Sequence, residues 1–109
     1  MYEPSHALGL IRRDIAGCPD RWRELLKELA ERHGFRLVFT VELHAGPCIA
    51  NLALAQHITE HSAAAVVVLS FGHADAVRHM ITGVAALITP VRVYPRGYRW
   101  PVAEAGEGL

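Results

Sequence analysis

Seven consecutive apolar residues, AAAVVVL at positions 63–69, constrain the fold more strongly than any other segment of this 109-residue chain. The run contains only alanine, valine and leucine, and no polar residue interrupts it. Such a run is typical of a strand that is buried on both faces, as strands are in parallel sheets covered by helices. It therefore predicts a central strand in an α/β domain.

Strand and helix signals alternate along the rest of the sequence. Strands are predicted at 7–13, 35–43, 63–69 and 86–95, and helices at 19–34, 46–61 and 74–84. Connections between successive parallel strands are right-handed crossovers that place their helices against the sheet. The alternation therefore predicts a parallel sheet with helices on both faces.

The strand sequences also predict positions within the sheet. The strand at 35–43 alternates apolar and polar residues, and the last predicted strand contains Pro90, so both are placed at edges. The first and third strands are more apolar and take the centre. The predicted architecture is a three-layer, doubly wound, flavodoxin-like parallel sheet of order 2-1-3-4. One domain is expected over 1–95, with a partly disordered tail over 96–109.

A candidate site follows from this strand order, because ligands of doubly wound sheets bind where the strand order reverses. That point lies between the carboxyl ends of the first and third strands. Six residues are placed there: Arg12, Arg13, Asp14, Ser70, Gly72 and His73. Arginine binds phosphate bidentately, which predicts an anion-binding crevice. The alternative is an Arg12–Asp14 ion pair, with Arg13 in solvent.

The charge balance and the length of the apolar runs give no sign of a polyanionic or membrane partner, and the cysteines bear on the compartment. Eleven basic residues balance eleven acidic ones, and no apolar run is long enough to span a membrane. Cys18 and Cys48 are isolated, and no apolar signal segment precedes them, which favours reduced thiols in the cytoplasm. The chain has no glycine-rich phosphate loop, and we expect no cofactor.

The segment HITEH, residues 57–61, matches the H-x-x-E-H pattern of the inverzincin peptidases. Zinc hydrolysis would also need a third ligand and a substrate cleft, and those enzymes are far larger than this chain. A five-residue match on an exposed helix end arises easily by chance. We therefore expect no metal site; His57 and His61 are the candidates if a metal does bind.

The first strand resembles the start of the catalytic domain of serine recombinases, the resolvase/invertase family. Those domains begin with a strand of the type Y-x-R-x-S, whose serine attacks a DNA phosphodiester while the arginine binds the phosphate. In LIRRD, Leu10 takes the place of the tyrosine, Arg12 that of the arginine and Asp14 that of the serine. The resemblance covers roughly residues 7–95 and implies a resolvase-like α/β domain.

The same resemblance implies that recombinase chemistry is lost. After its third strand the family carries L-D-R-x-x-R, and the corresponding residues here are Phe71, Gly72, His73 and Ala76. Gly46 stands where the family has a further arginine. An aspartate cannot form the phosphoserine linkage to DNA, and the lost arginines would have stabilised the pentavalent phosphate. The family's dimerisation helix and DNA-binding domain have no counterpart in these 109 residues.

Three functions remain open on the sequence alone. The first is a non-catalytic, resolvase-like binding module in the cytoplasm, with an unknown protein or a small anionic molecule as its partner. The second is a small phosphate- or nucleotide-binding enzyme that uses Arg12, Asp14 and His73. The third is a nucleic-acid accessory protein that stacks bases on YPRGYRW, residues 94–100. The oligomeric state is also open, since edge strands permit self-association without requiring it.

Overall fold

The computed structural model describes residues 4–13, 20–43 and 47–101 of the chain. Its strands are β1 (Ser5–Arg12), β2 (Phe35–Leu43), β3 (Ala63–Val67), β4 (Ala86–Ile88) and β5 (Val93–Tyr94). Its α-helices are α1 (Trp22–Arg32), α2 (Pro47–Glu60) and α3 (Arg78–Val84). Two short 3-10 turns, Phe71–His73 and Asp75–Val77, connect β3 to α3.

The strands form one sheet of order β2-β1-β3-β4-β5. The first four are parallel, and β5 runs antiparallel to β4. The predicted α/β fold and the order of its first four strands are confirmed. β1 and β3 are neighbours inside the sheet, so their carboxyl ends lie side by side at one edge, as the candidate crevice requires.

Helices cover both faces of the sheet, and a separate apolar core fills each interface. On one face, α1 contributes Trp22 and Leu26 to a core that includes Val67 of β3. On the other face, α2 and α3 pack over a core that includes Leu10 and Val66. Val66 and Val67 are both fully buried although they point to opposite faces, which explains the uninterrupted apolar run of β3.

The regular alternation predicted for β2 is interrupted by a β-bulge. Ala7 pairs with Leu37 and Leu8 with Phe39, which leaves Val38 as an extra residue on β2. One extra residue reverses the faces of all that follow it. Leu37 therefore packs into the α1 core, whereas Val41 packs into the α2–α3 core. The sequence pattern had placed both on one face, and that part of the prediction is wrong.

The segment 86–95, predicted as one edge strand, is divided between β4 and β5. Pro90 has no N–H for a strand ladder and lies in the turn between them. The Thr89 hydroxyl closes this turn, because its Oγ1 accepts the Arg92 N–H at 2.9 Å and donates to the Arg92 carbonyl at 2.9 Å. β4 is consequently an interior strand, and β5 forms the edge.

The ends of the helices follow local chemistry. α1 is followed by Gly34 at φ +82°, a left-handed conformation that favours glycine, and the Gly34 N–H donates to the Glu31 carbonyl at 3.0 Å. The predicted third helix, 74–84, is shorter than expected because its first turn is 3-10. Within the described ranges, no helix has both the length and the apolar character that crossing a bilayer requires.

The start of the predicted tail packs on the domain. The Gly97 N–H donates to the Thr82 carbonyl at 2.6 Å, and the Trp100 indole N–H donates to Thr82 Oγ1 at 2.8 Å. Residues 102–109 lie outside the described part of the chain. Disorder of the tail and the domain boundary at 95 stay predictions.

Candidate functional site

The imidazole of His73 lies at the carboxyl end of β1. Its Nδ1 accepts the backbone N–H of Arg12 at 2.9 Å, and its side chain is 3% exposed. An imidazolium has no lone pair on Nδ1, so this hydrogen bond requires neutral His73 with its proton on Nε2. The structure thus brings together two of the six residues assigned to the crevice, one from each strand end.

Ser70 and Gly72 belong to the same connection after β3, and both are exposed. The Ser70 carbonyl accepts the His73 N–H at 3.2 Å, which closes the 3-10 turn and points the chain back toward β1. Asp14, the one acidic residue among the six, lies outside the described residues, as does Gly46. The predicted Arg12–Asp14 pair therefore stays a prediction.

Arg13 is held on the α1 side of the sheet. Its Nη1 lies 3.1 Å from Glu42 Oε1, and Arg23 of α1 approaches Glu42 Oε2 at 3.4 Å. One carboxylate on β2 thus contacts two exposed guanidinium groups. Exposed ion pairs of this kind contribute little stability. Arg13 is an exposed, ion-paired residue in this arrangement.

A second group of polar side chains lies at the end of α2. His57, Glu60 and His61 can bring one ligand atom each within 4.8 Å of one another. The two imidazoles are nearly parallel, at 19° with centroids 6.2 Å apart. Both stack on the ring of Phe39 from β2, at 4.8 Å for His57 and 5.0 Å for His61.

Sequence reasoning missed two residues that contact this second group. Phe39 reaches α2 only because the bulge at Val38 turns it to that face. His6 of β1 donates from Nδ1 to the His61 carbonyl at 3.0 Å and so fixes the end of α2 to the sheet. A bulge has no clear signature in a strand of mixed residues, and His6 carried no pattern that pointed to α2.

Four rings form an aromatic cluster beside β5. Its members are Phe71, Tyr94, Tyr98 and Trp100, with neighbouring centroids 4.7–5.8 Å apart. The Arg92 guanidinium lies over Tyr94 at 4.7 Å and over Tyr98 at 5.4 Å. Arg78 lies 5.5 Å from the Trp100 ring. Guanidinium groups over aromatic faces are attracted by the ring quadrupole.

Basic residues predominate in the part of the sequence that forms the aromatic cluster. Positions 76–103 contain four arginines, Arg78, Arg92, Arg96 and Arg99, and no aspartate or glutamate. Asp75, just before this stretch, pairs with Arg78 at 2.9 Å. Arg92, Arg96 and Arg99 are exposed. A chain with no net charge thus has one segment that is rich in arginine and free of acidic residues, with three of its arginines exposed.

Comparisons with known proteins identify no relative: no protein-family model matches the chain, nor does any curated protein or solved structure.

The described geometry offers three places where chemistry could occur. They are the strand end at Arg12 and His73, the His57–Glu60–His61 group, and the basic aromatic cluster.

Proposed function

We propose that this chain is a non-catalytic α/β binding module, degenerate from the catalytic domain of serine recombinases. The observation that carries the proposal is the hydrogen bond from the Arg12 N–H to the buried Nδ1 of His73, 2.9 Å long. By resemblance, His73 stands where the family has a cationic arginine. A neutral ring bound to the backbone supplies structure at that position and no fixed positive charge.

The neighbouring positions support the same proposal. Transfer of a phosphoryl group needs preorganised cations around the charge that develops on phosphate. Gly72 and Ala76, which follow β3 where the resemblance puts an aspartate and an arginine, have no ionisable side chain. Asp14, at the place of the nucleophilic serine, lacks the hydroxyl that would join to DNA.

The proposal is tested by incubating the protein with supercoiled DNA and separating products under denaturing conditions. We expect neither recombinant DNA nor a covalent protein–DNA adduct. An adduct that disappears in Asp14→Ala would show an active enzyme and end the proposal. Turnover of a nucleotide or phosphate ester that Arg12→Leu abolishes would instead favour the small phosphate-binding enzyme.

The basic aromatic cluster supports a second candidate function, that of a nucleic-acid accessory protein. Proteins that bind single-stranded nucleic acids combine partly exposed aromatic rings with arginines. The bases stack on the rings, and the guanidinium groups bind the phosphates. Tyr94, Tyr98 and Trp100 are all partly exposed, with Arg96 and Arg99 between them in sequence. A purely structural cluster that holds residues 96–101 on the domain is the competing explanation.

Fluorescence anisotropy with labelled single-stranded DNA and RNA separates these explanations. The double variant Arg96→Glu/Arg99→Glu should weaken binding and lower its salt dependence, since fewer counterions are released. Arg32→Glu/Arg36→Glu is the matched control, because both residues are exposed on other elements. Absence of binding in the wild type, or equal losses in both variants, would reject the nucleic-acid function and leave a structural cluster.

A further inference from the structure

The last turn of α2 and the residue that follows it carry three groups that can ligate a metal. His57, Glu60 and His61 are at positions i, i+3 and i+4, which lie on one helix face. Their nearest charged contact is 3.7 Å, between His57 Nδ1 and Glu60 Oε1. That distance exceeds an ordinary hydrogen bond, so the carboxylate does not satisfy the ring nitrogen.

His57 Nδ1 is buried and has no hydrogen-bond partner, the one side-chain atom of this kind in the part of the chain that the structure describes. Buried polar atoms are almost always paired, and an exception calls for an explanation such as an ion. An imidazole nitrogen that has no hydrogen-bond partner is available to bind a metal ion. The carboxylate beside it would supply compensating negative charge.

Phe39 orients the two imidazoles for joint binding. Both rings stack on it and are nearly parallel to each other, so they lie side by side and not face to face across the site. Donor atoms on a tetrahedral zinc ion are about 3.3 Å apart, given bond lengths of about 2.0–2.1 Å. The donors of this group lie within 4.8 Å of one another, and Glu60 is exposed, so its carboxylate has room to move toward the two imidazoles.

We propose that His57, Glu60 and His61 bind a divalent transition metal such as Zn²⁺. Two imidazoles and one carboxylate suit Zn²⁺, Ni²⁺ or Cu²⁺ and are a poor set for the harder Mg²⁺ and Ca²⁺. Three protein ligands leave a fourth position for water or for a donor from a partner. The hydrogen bond from His6 to the His61 carbonyl, 3.0 Å long, fixes the backbone of His61 against β1.

This proposal differs from what the sequence alone predicted. H-x-x-E-H was too short a pattern to predict a metal site, and the sequence contained no third element to orient its histidines. The orphaned Nδ1 and the Phe39 stack supply that element. The proposed site does not depend on the strand end at Arg12 or on its function.

The test is titration of the full chain with ZnCl₂, followed by calorimetry and by thermal melting. We expect one saturable site for each chain and a higher melting temperature, with no effect of Mg²⁺ or Ca²⁺. His57→Phe keeps a ring on Phe39 but removes the ligand. Mutating a residue that only hydrogen-bonds a metal ligand already lowers metal affinity by roughly 10-fold or more, so His57→Phe should weaken Zn²⁺ binding by at least that factor. Glu60→Gln, on an exposed residue, should weaken binding without affecting the fold.

Two controls make a negative result decisive. His33→Phe alters an exposed histidine next to α1 and should bind Zn²⁺ like the wild type. The Co²⁺-substituted protein should lack the thiolate charge-transfer band that ligation by Cys18 or Cys48 would give. Absence of saturable binding, or equal binding by His57→Phe and wild type, would overturn the proposal.

Discussion

The backbone amide of Arg12 is satisfied by a side chain that lies 61 residues further along the sequence. A buried N–H without a partner costs about 1–3 kcal/mol, so the His73 ring has a clear structural value at this strand end. The same ring is one of the few polar side chains in the described core. Its role can be measured through stability without any knowledge of a ligand.

His73→Leu should lower the free energy of unfolding by about 1–3 kcal/mol, because the Arg12 amide loses its acceptor. His33→Leu, at an exposed position, should change it by no more than about 0.5 kcal/mol. Urea denaturation followed by circular dichroism measures both values. A loss in His73→Leu no larger than in the control would mean that this hydrogen bond does not hold the end of β1.

The proposed ion pair between Arg12 and Asp14 also concerns single residues, and a double-mutant cycle tests it. Asp14→Ala should destabilise the protein, because a half-buried arginine left without a counter-charge is costly. Adding Arg12→Leu should recover much of that loss, and sulfate should stabilise Asp14→Ala more than the wild type. Additive single changes with no sulfate effect would identify two independent charges.

At the scale of elements, Gly9 sets how closely α1 approaches the sheet. A Cβ at this position would lie 3.0 Å from Leu26 Cδ1 and 3.1 Å from Thr40 Oγ1. Leu26 is fully buried and Thr40 is β-branched on a strand, so neither can move aside easily. Gly83 of α3 is the opposite case, because nothing lies within 4 Å of the corresponding position.

Gly9→Ala should therefore destabilise the fold by about 1–3 kcal/mol through overpacking. Gly83→Ala should stabilise it by about 0.5–1 kcal/mol, since alanine restricts the unfolded chain and favours helix. Thermal melts of the two variants beside wild type should shift in opposite directions. A Gly9→Ala protein that melts above wild type would mean that α1 can withdraw from the sheet at no cost.

The elements that the sequence predicted well are those with one dominant signal. The pure apolar run of β3 fixed the centre of the sheet, and the spacing of strands and helices fixed its order. β2 was predicted with the right bounds, but its faces depend on Val38, whose insertion leaves no trace in a pattern of mixed residues. Pro90 marked a turn, and the sequence reading placed it within a strand.

The candidate sites show the same division at the scale of the whole molecule. Arg12 ends β1 and His73 follows the neighbouring parallel strand β3, so strand order predicts that they lie at the same edge of the sheet. The Phe39 stack on His57 and His61 could not be predicted, because it needs both the bulge in β2 and the packing of α2 on that face. Strand order is encoded in local patterns, whereas side-chain sites depend on register.

Val67 tests whether the molecule folds as one unit around β3. It is fully buried, pairs with Gly9 of β1 and Ile88 of β4, and packs into the α1 core. Val67→Asp would bury a charge with no partner, at a cost comparable to the whole stability of a small domain, about 5–15 kcal/mol. The variant should therefore be unfolded at room temperature, with loss of both helical and sheet signals in circular dichroism.

Val91→Asp is the matched control, because Val91 is 92% exposed in the turn between β4 and β5. The same chemical change there should leave the free energy of unfolding within about 0.5 kcal/mol of wild type. A Val67→Asp protein that melts within a few degrees of this control would mean that β3 can be withdrawn from the sheet. The two helical layers would then be stable without the strand that joins their cores, which contradicts the architecture described above.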